Sequence, residues 1–432
     1  MIPLVTASQM READDRAVAS VGVEHLVRTA GYAVAREAHT MLRSAYARRV
    51  AVIVGPGLNG ADGRVATDVL RRRGARVDVI EVARQPRHLT GYDLVIDAAF
   101  GLGCTRAYDA PTVDATTRVL AVDLPSGVEP DTGHVAGRPL RADVTLALGA
   151  IKFAHVDGPS RAYIGELRFE GLGIDCPSDD GLVEDSDLTD YVVHRADDHK
   201  WSHAVAVLAG SGAMSGAAWL ACRGALATGA SLVQLESRGK LNRSAVLPPE
   251  IVRVSGPAVD SRVRCVVAGP GLGPTSAAWL SDRLSHLSVP VVLDADALSL
   301  DVVAAVGAPV RVLTPHEGEF ERLGGDPRAL RRISAAREVA QRLDCIVLLK
   351  GPTTLVVAPD GRVRVVQSGT SALATAGTGD VLAGMIGGAI ARGHDPFDAA
   401  ALSAHLHGRA GARLPVYGSA SELPERVARL LR

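Results

Sequence analysis

Several features are scarce in this chain of 432 residues, and each scarcity excludes a class of protein. The formal net charge is only -1, so neither nucleic acid nor an anionic membrane is indicated as a partner. No apolar run approaches the roughly 18 residues that a membrane-spanning helix needs. The N-terminal stretch MIPLVTASQMREADDR lacks the basic and then apolar order of a signal peptide. We therefore expect a cytoplasmic protein.

Cysteine and lysine are scarce as well. The five cysteines contain no CxxC pair, which favours reduced core residues over a disulfide framework or a metal site. Only four of the 47 basic residues are lysines, and they stand at positions 152, 200, 240 and 350. A chain that prefers arginine so strongly retains a lysine where a compact point charge is needed, although chance is an equal alternative for each one.

The length favours two or three domains, and the pattern of apolar runs is that of α/β domains. Short Val, Ala and Ile runs alternate with helical stretches, which predicts parallel sheets covered on both faces. These runs lie at 49–55, 93–98, 118–124, 264–269, 290–295 and 345–351. The acidic stretch at 175–200 has little helical periodicity, so we place a domain boundary there and predict domains at 1–195 and 196–432.

A glycine-rich turn follows the first apolar run of the N-terminal half. GPGLNG (55–60) satisfies the dinucleotide fingerprint GxGxxG, and Glu81 closes the next strand. However, Asn59, Asp62 and Gly63 fit the ordinary version of this fingerprint poorly. A plain NAD-dependent dehydrogenase is therefore the weaker interpretation.

Polar side chains follow further strands of this half, at the sheet edge where ligands bind in such folds. Asn59, Asp97 and Ser126 offer an amide, a carboxylate and a hydroxyl or carbonyl, which are hard oxygen ligands for an alkali or alkaline-earth cation. Asp123, in VDLPSG, is a carboxylate available for acid–base work. Helix caps and turn formers are the structural alternative for each residue read alone.

Taken in order, GPGLNGADG, DAAFGLG and VDLPSG resemble the NAD(P)H-hydrate epimerase domain over residues 5–175. The resemblance implies a Rossmann-like three-layer α/β domain, a potassium ion held by Asn59, Asp97 and Ser126, and a catalytic role for Asp123. The implied contacts to the hydrated dinucleotide are Leu58, Asn59, Gly60, Ala61, Asp62, Gly101, Leu102, Gly103, Cys104, Thr105, Arg106 and Ala107.

The first loop departs from the family pattern GxGNNGGDG at two positions. Leu58 stands where an asparagine is usual, and Ala61 replaces a glycine. A lost amide and an added Cβ in a loop that approaches a ligand closely leave one alternative open. The N-terminal domain would then be a binding or assembly module without turnover.

The C-terminal half carries a glycine-rich turn, Gly377-Thr378-Gly379-Asp380, that runs into an apolar helix. Backbone amides at a helix N-terminus suit a phosphate, and the carboxylate of Asp380 suits the proton of an attacking hydroxyl. No GxxxxGK[ST] sequence is present, so the nucleotide fold is not a P-loop NTPase. Tight βα turns, which parallel sheets need in any case, are the structural alternative.

Together with AGPGLG, LDADAL, TPHEGEF and LLKGPTT, this turn resembles the ADP-dependent NAD(P)H-hydrate dehydratase over residues 197–412. The resemblance implies a ribokinase-like three-layer α/β domain in which Asp380 is the catalytic base and Ala217, Gly271 and His316 contact the substrate. The implied nucleotide contacts are Lys350, Gly351, Pro352, Thr353, Thr354 and Gly379.

Two acidic groups of this half have alternative interpretations. Asp294 and Asp296 could serve Mg²⁺ through water or cap the next helix, and capping is favoured for Asp296. His316 with Glu317 and Glu319 lacks the HExxH spacing of a zinc site.

The whole chain is thus expected to repair hydrated nicotinamide cofactors, with NADHX or NADPHX and ADP as small-molecule substrates (ATP possible), and with Mg²⁺ and K⁺. A ribokinase-like kinase of a small molecule such as a vitamin alcohol is the enzymatic alternative. The small-residue helices at 215–230 and 383–391 could pack against another subunit as easily as within the chain. Since members of the family often oligomerise, the resemblance implies a homo-oligomer.

Overall fold

The computed structural model describes residues 1–103, 107–189, 191, 197–241, 248–256, 259–328, 331–415 and 418–431. The chain forms two units, Ile2–Asp180 and Gly181–Arg432. The division lies before the sequence-based boundary at 195, because Gly181 and Leu182 pair in parallel with Arg364 and Val365 of the C-terminal sheet. The start of the acidic stretch therefore stays with the N-terminal unit, and its continuation belongs to the C-terminal one.

The N-terminal unit alternates strands and helices. Its strands are β1 (Ile2–Val5), β2 (Arg49–Val54), β3 (Arg76–Glu81), β4 (His88–Leu89), β5 (Leu94–Ala98), β6 (Tyr108–Asp109), β7 (Thr112–Val113), β8 (Arg118–Val122), β9 (Gly137–Arg138), β10 (Val144–Leu148), β11 (Ile151–Lys152) and β12 (Glu166–Glu170). Its helices are α1 (Ala7–Val21), α2 (Val23–Leu42), α3 (Leu58–Arg72), α4 (Phe153–Val156) and α5 (Arg161–Ile164).

The main sheet of this unit has the order β12-β10-β8-β5-β2-β3, and its pairs are parallel. Alternate residues of each strand face opposite sides. Val50 and Val52 of β2 join the core with α2 and α3, whereas Ala51 and Ile53 join a second core with segments between residues 89 and 142. The described part of that second layer contains the short ladders β4–β7 and β6–β9. The predicted α/β class with a parallel sheet is confirmed.

The C-terminal unit has the larger sheet. Its strands are β13 (Gly181–Leu182), β14 (Ala204–Ser211), β15 (Leu232–Arg238), β16 (Ile251–Arg253), β17 (Cys265–Ala268), β18 (Val291–Leu293), β19 (Arg311–Leu313), β20 (Ile346–Leu349), β21 (Thr354–Val357) and β22 (Val363–Val366). Its helices are α6 (Ser215–Ala227), α7 (Ala277–Leu284), α8 (Leu300–Ala305), α9 (Glu317–Arg322), α10 (Arg332–Leu343), α11 (Thr378–Ala391), α12 (Pro396–Gly411) and α13 (Leu423–Leu430).

Within this unit the strands follow the order β13-β22-β21-β20-β19-β18-β17-β14-β15-β16. The pairs β20–β21 and β21–β22 are antiparallel, and the other pairs with a described register are parallel. Residues of α6, α11, α12 and α13 share one core with the sheet, while α10 packs against β20 and β21. The sheet thus lies between helical layers.

The glycines of α11 are explained by its contact with α6. A Cβ on Gly384 would lie 1.9 Å from the carbonyl oxygen of Ala221, and one on Gly224 would lie 2.2 Å from that of Val381. Only glycine allows two helix backbones to approach so closely. These small-residue faces therefore pack within the chain, and they give no argument for a second subunit. No helix in the described ranges combines the length and apolarity needed to cross a bilayer.

Candidate active sites

A cleft of about 750 Å³ opens in the N-terminal unit at the carboxyl ends of β2 and β5, where the strand order reverses. Ligands bind at this point in open α/β sheets. The glycines of the first loop let three backbone segments meet here. A Cβ on Gly55 would lie 1.8 Å from the carbonyl oxygen of Ala99, and one on Gly60 would lie 2.0 Å from that of Gly55. Close backbone packing thus accounts for two glycines of the fingerprint.

The three residues predicted to hold a cation lie together beside the cleft. Ser126 donates to Asp97 from its hydroxyl (2.6 Å) and from its backbone N–H (2.9 Å). The amide nitrogen of Asn59 donates to the carbonyl oxygen of Val122 at 2.8 Å, and a Cβ on Gly101 would lie 2.6 Å from the amide oxygen of Asn59. Asp97 is fully buried, and burial raises the pKa of its carboxyl.

Asp123 lies at the floor of the cleft in a strained backbone conformation, with φ of 63°. Its carboxylate accepts from the ammonium of Lys152 at 2.5 Å, and both side chains are almost completely buried. The backbone N–H of Lys152 donates to Nδ1 of His155. The Nε2 atom of this ring therefore carries the proton and donates to the Asp123 carbonyl oxygen at 2.5 Å. Burial, assisted by the Lys152 charge, lowers the pKa of His155 to about 4, so this histidine is a neutral support.

Two further carboxyl groups line the same cleft. Burial raises the pKa of Asp62 to about 8, and repulsion by Asp123 and Asp14 adds to the effect. Burial also raises the pKa of Asp14, on α1, to about 6, although the charge of Lys152 opposes it. Carboxyl groups that titrate near neutral pH are typical of sites that exchange protons with a substrate.

The remaining predicted contacts of this unit are distributed unevenly. Leu58 is half-exposed and lines the cleft, whereas Gly60 and Ala61 are not among its lining residues. The cleft is also lined by Asn59, Asp62, Gly101, Leu102, Gly103 and Ala107. Cys104, Thr105 and Arg106 lie outside the described residues.

In the C-terminal unit, α11 begins after Gly377, which has a φ of 92° that favours glycine. Gly379 and Asp380 therefore lie in the first turn, where backbone amides have no partner within the helix. A Cβ on Gly379 would lie 3.4 Å from the ammonium of Lys350 and 3.9 Å from a carboxylate oxygen of Asp294. The bare backbone of Gly379 thus leaves the lysine accessible at the start of the helix.

A charged network surrounds this turn. The Lys350 ammonium donates to Asp294 at 2.9 Å and lies 3.8 Å from Glu319. Burial and repulsion by Asp294 raise the pKa of Asp380 to about 7, while Lys350 acts in the opposite direction. Burial would lower the pKa of Lys350, but Asp294 and Glu319 raise it overall. The site therefore combines a permanent cation with a carboxyl group that titrates near neutral pH.

Two of the predicted substrate contacts meet at the first turn of α6. A Cβ on Gly271 would lie 2.7 Å from the Cβ of Ala217, and Gly271 has a φ of 65°. His316 caps α9 through Nδ1, which accepts from the Gly318 N–H at 3.0 Å. Because Nδ1 is an acceptor, Nε2 carries the proton of this ring, and the His316 side chain is 58% exposed.

The predicted nucleotide segment Lys350–Thr354 connects β20 to the antiparallel strand β21. Gly351 lies against the guanidinium of Arg332, which a Cβ on this glycine would approach to 3.2 Å. The Thr354 hydroxyl donates to the Gly351 carbonyl oxygen at 3.3 Å, and Thr353 is buried. Pro352 completes the turn. The segment is thus held tightly beside a second cation.

Comparisons with known proteins match both halves of the chain. Residues 205–431 match the family described as NAD(P)H-hydrate dehydratase, and residues 23–91 and 80–154 match the family described as YjeF-related protein N-terminus. The bifunctional NAD(P)H-hydrate repair enzyme Nnr of Mycobacterium leprae is 34% identical, over 99% of this chain and 97% of its own length. The enzyme of that name from Mycobacterium tuberculosis is also 34% identical, over 91% of this chain and 90% of its own length.

The chain belongs to the family of bifunctional NAD(P)H-hydrate repair enzymes.

Solved structures resemble the C-terminal part. A ribokinase-like superfamily protein from Enterococcus faecalis has a TM-score of 0.52 at 21% identity and covers 59% of this chain and 96% of its own. An ADP/ATP-dependent NAD(P)H-hydrate dehydratase from Bacillus subtilis, crystallised with ATP and Mg²⁺, is 30% identical with a TM-score of 0.49, over 55% and 92%. The predicted ribokinase-like fold of this family member is confirmed.

One interpretation needs correction. Asp296 was expected to cap the next helix, but α8 is capped by Ser299, whose hydroxyl accepts from the Val302 N–H. The carboxylate of Asp296 instead accepts from the Gly273 N–H at 2.8 Å. It ties the glycine turn after β17 to the loop after β18, because the two loops lie at neighbouring strand ends.

Sequence reasoning left several groups without a role at these sites. Asp14, Lys152 and His155 come from elements distant in sequence from the cleft motifs they join. In the C-terminal unit, His407 is buried under the start of α11 and hydrogen-bonds to the backbone of Thr378. Burial lowers the pKa of His407 to about 4. The scarcity of lysine was the one available signal, and it marked Lys152 no more strongly than the other three lysines.

Proposed function

We propose that this chain restores hydrated nicotinamide dinucleotides, with an epimerase site in the N-terminal cleft and a nucleotide-dependent dehydratase site at α11. Membership of the repair family supports both activities. The observation that carries the dehydratase assignment is the half-buried Asp380 carboxyl, which lies in the field of Lys350 next to the bare backbone of Gly379. Phosphoryl transfer needs such a positive, amide-rich turn with a base next to it.

In the proposed dehydratase reaction, Asp380 takes the proton of the C6 hydroxyl while the hydroxyl oxygen attacks the terminal phosphorus of ADP. AMP leaves, and the phosphate ester then loses inorganic phosphate from C6 while C5 loses a proton to solvent, which restores the double bond between C5 and C6. Lys350 and the amides of the first turn of α11 offset the negative charge on the phosphoryl oxygens. Ala217, Gly271 and His316 would hold the dinucleotide, and the turn Lys350–Thr354 would hold the nucleotide.

The divalent ion of this reaction would be Mg²⁺. Within the described ranges, no three His, Cys, Asp or Glu side chains converge as a ready-made ion site. This fits Mg²⁺, which keeps several waters and binds phosphate oxygens with one or two carboxylates. Asp294 is the carboxylate best placed for that contact, since it lies beside Lys350 and Gly379.

The N-terminal cleft fits a potassium ion. Asp97 is fully buried, and no Lys, Arg or His side chain among the described residues lies within ion-pair distance of it. The hydrogen bonds from Ser126 do not neutralise the charge of a buried carboxylate, and a cation held by Asp97, Ser126 and the amide oxygen of Asn59 would do so. When bound, the ion would supply positive charge beside the substrate loops. Asp123, placed by Lys152 and His155, would face the hydrated ring.

The test uses the full chain with separated R and S hydrates of NADH, ADP, Mg²⁺ and K⁺, and it follows the return of dihydronicotinamide absorbance. The S hydrate alone reports the dehydratase, and the R hydrate reports both steps in series. We expect Asp380→Asn to reduce the S-hydrate rate by about 10²–10⁴-fold, the usual contribution of a general base. Asp301→Asn, an exposed first-turn carboxylate of α8, is the matched control.

Asp123→Ala should slow only the R hydrate. Recovery that stops at the S fraction in the wild-type chain would show that the N-terminal unit has no turnover. A phosphorylated product that accumulates without restored dihydronicotinamide would replace the dehydratase by a small-molecule kinase. Loss of the R-hydrate rate when K⁺ is replaced by Li⁺ would support the proposed ion site, and an unchanged rate would argue against it.

A further inference from the structure

We propose that Asp14 and Asp62 are the acid–base pair of the N-terminal cleft, each serving one face of the reacting ring. The assignment rests on the epimerase activity proposed above and adds a catalytic residue, Asp14, to that site. Inverting a carbon that bears a hydroxyl group requires the hydroxyl to leave from one face and to return on the other. A proton must therefore be given on one side and taken on the other.

Asp14 is held over the cleft by a firmly anchored helix. The N-terminus of α1 is capped by Thr6, and the Ala7 N–H donates to Asp131 at 2.6 Å. One turn before Asp14, the buried Met10 packs so closely on the turn after β10 that a Cβ on Gly149 would lie 2.3 Å from its methyl group. This packing directs Asp14 into the cleft.

Asp62 enters the cleft from a different helix. It lies in the second turn of α3 and is 5% exposed. A Cβ on Gly31 of α2 would lie 2.9 Å from the Asp62 carbonyl oxygen, so α2 and α3 are in close backbone contact at this turn. The two carboxyl groups thus stand on separate, rigidly packed elements that line one cavity.

The charged groups around Asp14 and Asp62 differ, and so do the pKa values of the two carboxyl groups. Asp14 faces Lys152, Asp123 and its neighbour Asp15, while Asp62 faces Asp123 and Asp14. Burial raises the pKa of Asp62 to about 8 and that of Asp14 to about 6, so at neutral pH Asp62 is protonated and Asp14 is ionised. Two carboxyl groups with separated pKa values in one site are the mark of an acid and its base. The Asp123 carboxylate is instead a fixed acceptor, because the Lys152 ammonium donates to it at 2.5 Å and the Leu148 N–H donates to it at 3.2 Å.

The step balances without an oxidant or a further reactant. Asp62 gives its proton to the C6 hydroxyl as the C6–O bond breaks, water leaves, and the lone pair of the ring nitrogen stabilises the cationic carbon. Water then adds to the opposite face, and its proton passes to Asp14. The protonation states of the pair are now exchanged, which is the state needed for the reverse conversion. No redox change occurs.

The experiment measures epimer interconversion by the full chain without nucleotide, so the dehydratase cannot act, and it analyses the epimers by chromatography between pH 5 and 9. The wild-type rate should show a bell-shaped profile with limbs near pH 6 and 8. We expect Asp14→Asn and Asp62→Asn to lose about 10²–10⁴-fold in rate. Asp14→Glu should retain a shifted acid limb, which a structural role for Asp14 would not produce. Glu12→Gln, which changes an exposed carboxylate of α1 outside the cleft, should match the wild type.

Dehydration of the S hydrate with ADP checks that the C-terminal unit of each variant is intact, and thermal melting followed by circular dichroism checks the folding of the N-terminal unit. Both should be unchanged. An active wild type together with an Asp14→Asn variant of equal rate and equal profile refutes the acid–base assignment alone. A wild-type chain that does not interconvert the epimers while it dehydrates the S hydrate refutes the epimerase function, and the assignment with it.

Discussion

Asp380→Asn should abolish the dehydratase and at the same time stabilise the C-terminal unit at alkaline pH. Burial and repulsion by Asp294 raise the pKa of Asp380 from 3.8 to about 7. The folded chain therefore holds a proton on Asp380 between pH 4 and 7 that the unfolded chain has already released. Asparagine has nearly the same shape and never carries the charge. The variant tests whether the site stores unfavourable electrostatic energy for its base.

The sign and size of the effect follow from this difference in proton binding. Between pH 5 and 7 the native state binds more protons than the unfolded state, so wild-type stability falls as the pH rises. Each pH unit between the two pKa values contributes about 1.4 kcal/mol. The free energy of unfolding should therefore fall by about 2–3 kcal/mol from pH 5 to pH 8.5 through Asp380 alone. Well above pH 7, where Asp380 is ionised in both states, this contribution to stability is lost completely. The advantage of Asp380→Asn over the wild type should grow by that amount over the same interval.

Tryptophan fluorescence gives a clean assay in the full chain. The three tryptophans, Trp201, Trp219 and Trp279, all lie in the C-terminal unit. Urea unfolding followed by their emission therefore reports on this unit while the N-terminal unit stays silent. Asp301→Asn is again the control, since it removes an exposed first-turn carboxylate and should show no growing advantage. A constant difference between Asp380→Asn and the wild type from pH 5 to 8.5 would refute the raised pKa of Asp380 and its role as a tuned base.

Other predictions concern close packing and buried charge. Gly384→Ala should destabilise the C-terminal unit by about 2–4 kcal/mol, because its Cβ would meet a backbone oxygen of α6 at 1.9 Å, whereas Gly216→Ala, with open space around it, should be neutral or stabilising by up to about 1 kcal/mol. Urea unfolding by tryptophan fluorescence measures both. Lys152→Met should destabilise the N-terminal unit by about 3–5 kcal/mol, because it removes the cationic partner of the buried Asp123 carboxylate. An unchanged transition in thermal melting followed by circular dichroism would contradict this. Lys350→Arg should lower the S-hydrate rate at least tenfold, since a planar guanidinium does not replace a compact ammonium, and equal rates would exclude this point-charge role.

The strands and the loops that end them could be predicted from the sequence because both are local signals. A buried parallel strand is a short apolar run wherever it occurs, and Gly55 and Gly60 stand in a recognisable order because one turn needs both. The proximity of Asp97 and Ser126 could also be predicted, since Asp97 lies at the end of β5 and Ser126 follows β8, and the carboxyl ends of these strands lie at the same sheet edge.

Partners that meet only through tertiary packing could not be predicted in this way. Asp14 lies on an amphipathic helix among other charged residues. Such residues ordinarily form the face of a helix that is exposed to solvent. Only the packing of Met10 on the turn after β10 shows that this face lines a cleft. The bond from Asp296 to Gly273 was missed for a related reason, because it joins two loops that follow neighbouring strands of the sheet.

The four lysines show how far a compositional signal can be taken. Lys152 and Lys350 each lie against a buried carboxylate at a site, with ammonium-to-carboxylate distances of 2.5 and 2.9 Å. Lys200 and Lys240 are exposed, so scarcity alone did not separate functional lysines from incidental ones. What separates them is desolvation. A buried ammonium with three donors can be satisfied by a carboxylate and a backbone carbonyl, as Lys152 is by Asp123 and Leu148, whereas a guanidinium brings five donors that such a pocket cannot match. In both units the lysine charge also opposes the rise in pKa of a nearby cleft carboxyl group, Asp14 in one and Asp380 in the other. Each site thus keeps a proton-exchanging carboxyl near neutrality by setting burial against one lysine, and this balance requires lysine where the rest of the chain uses arginine.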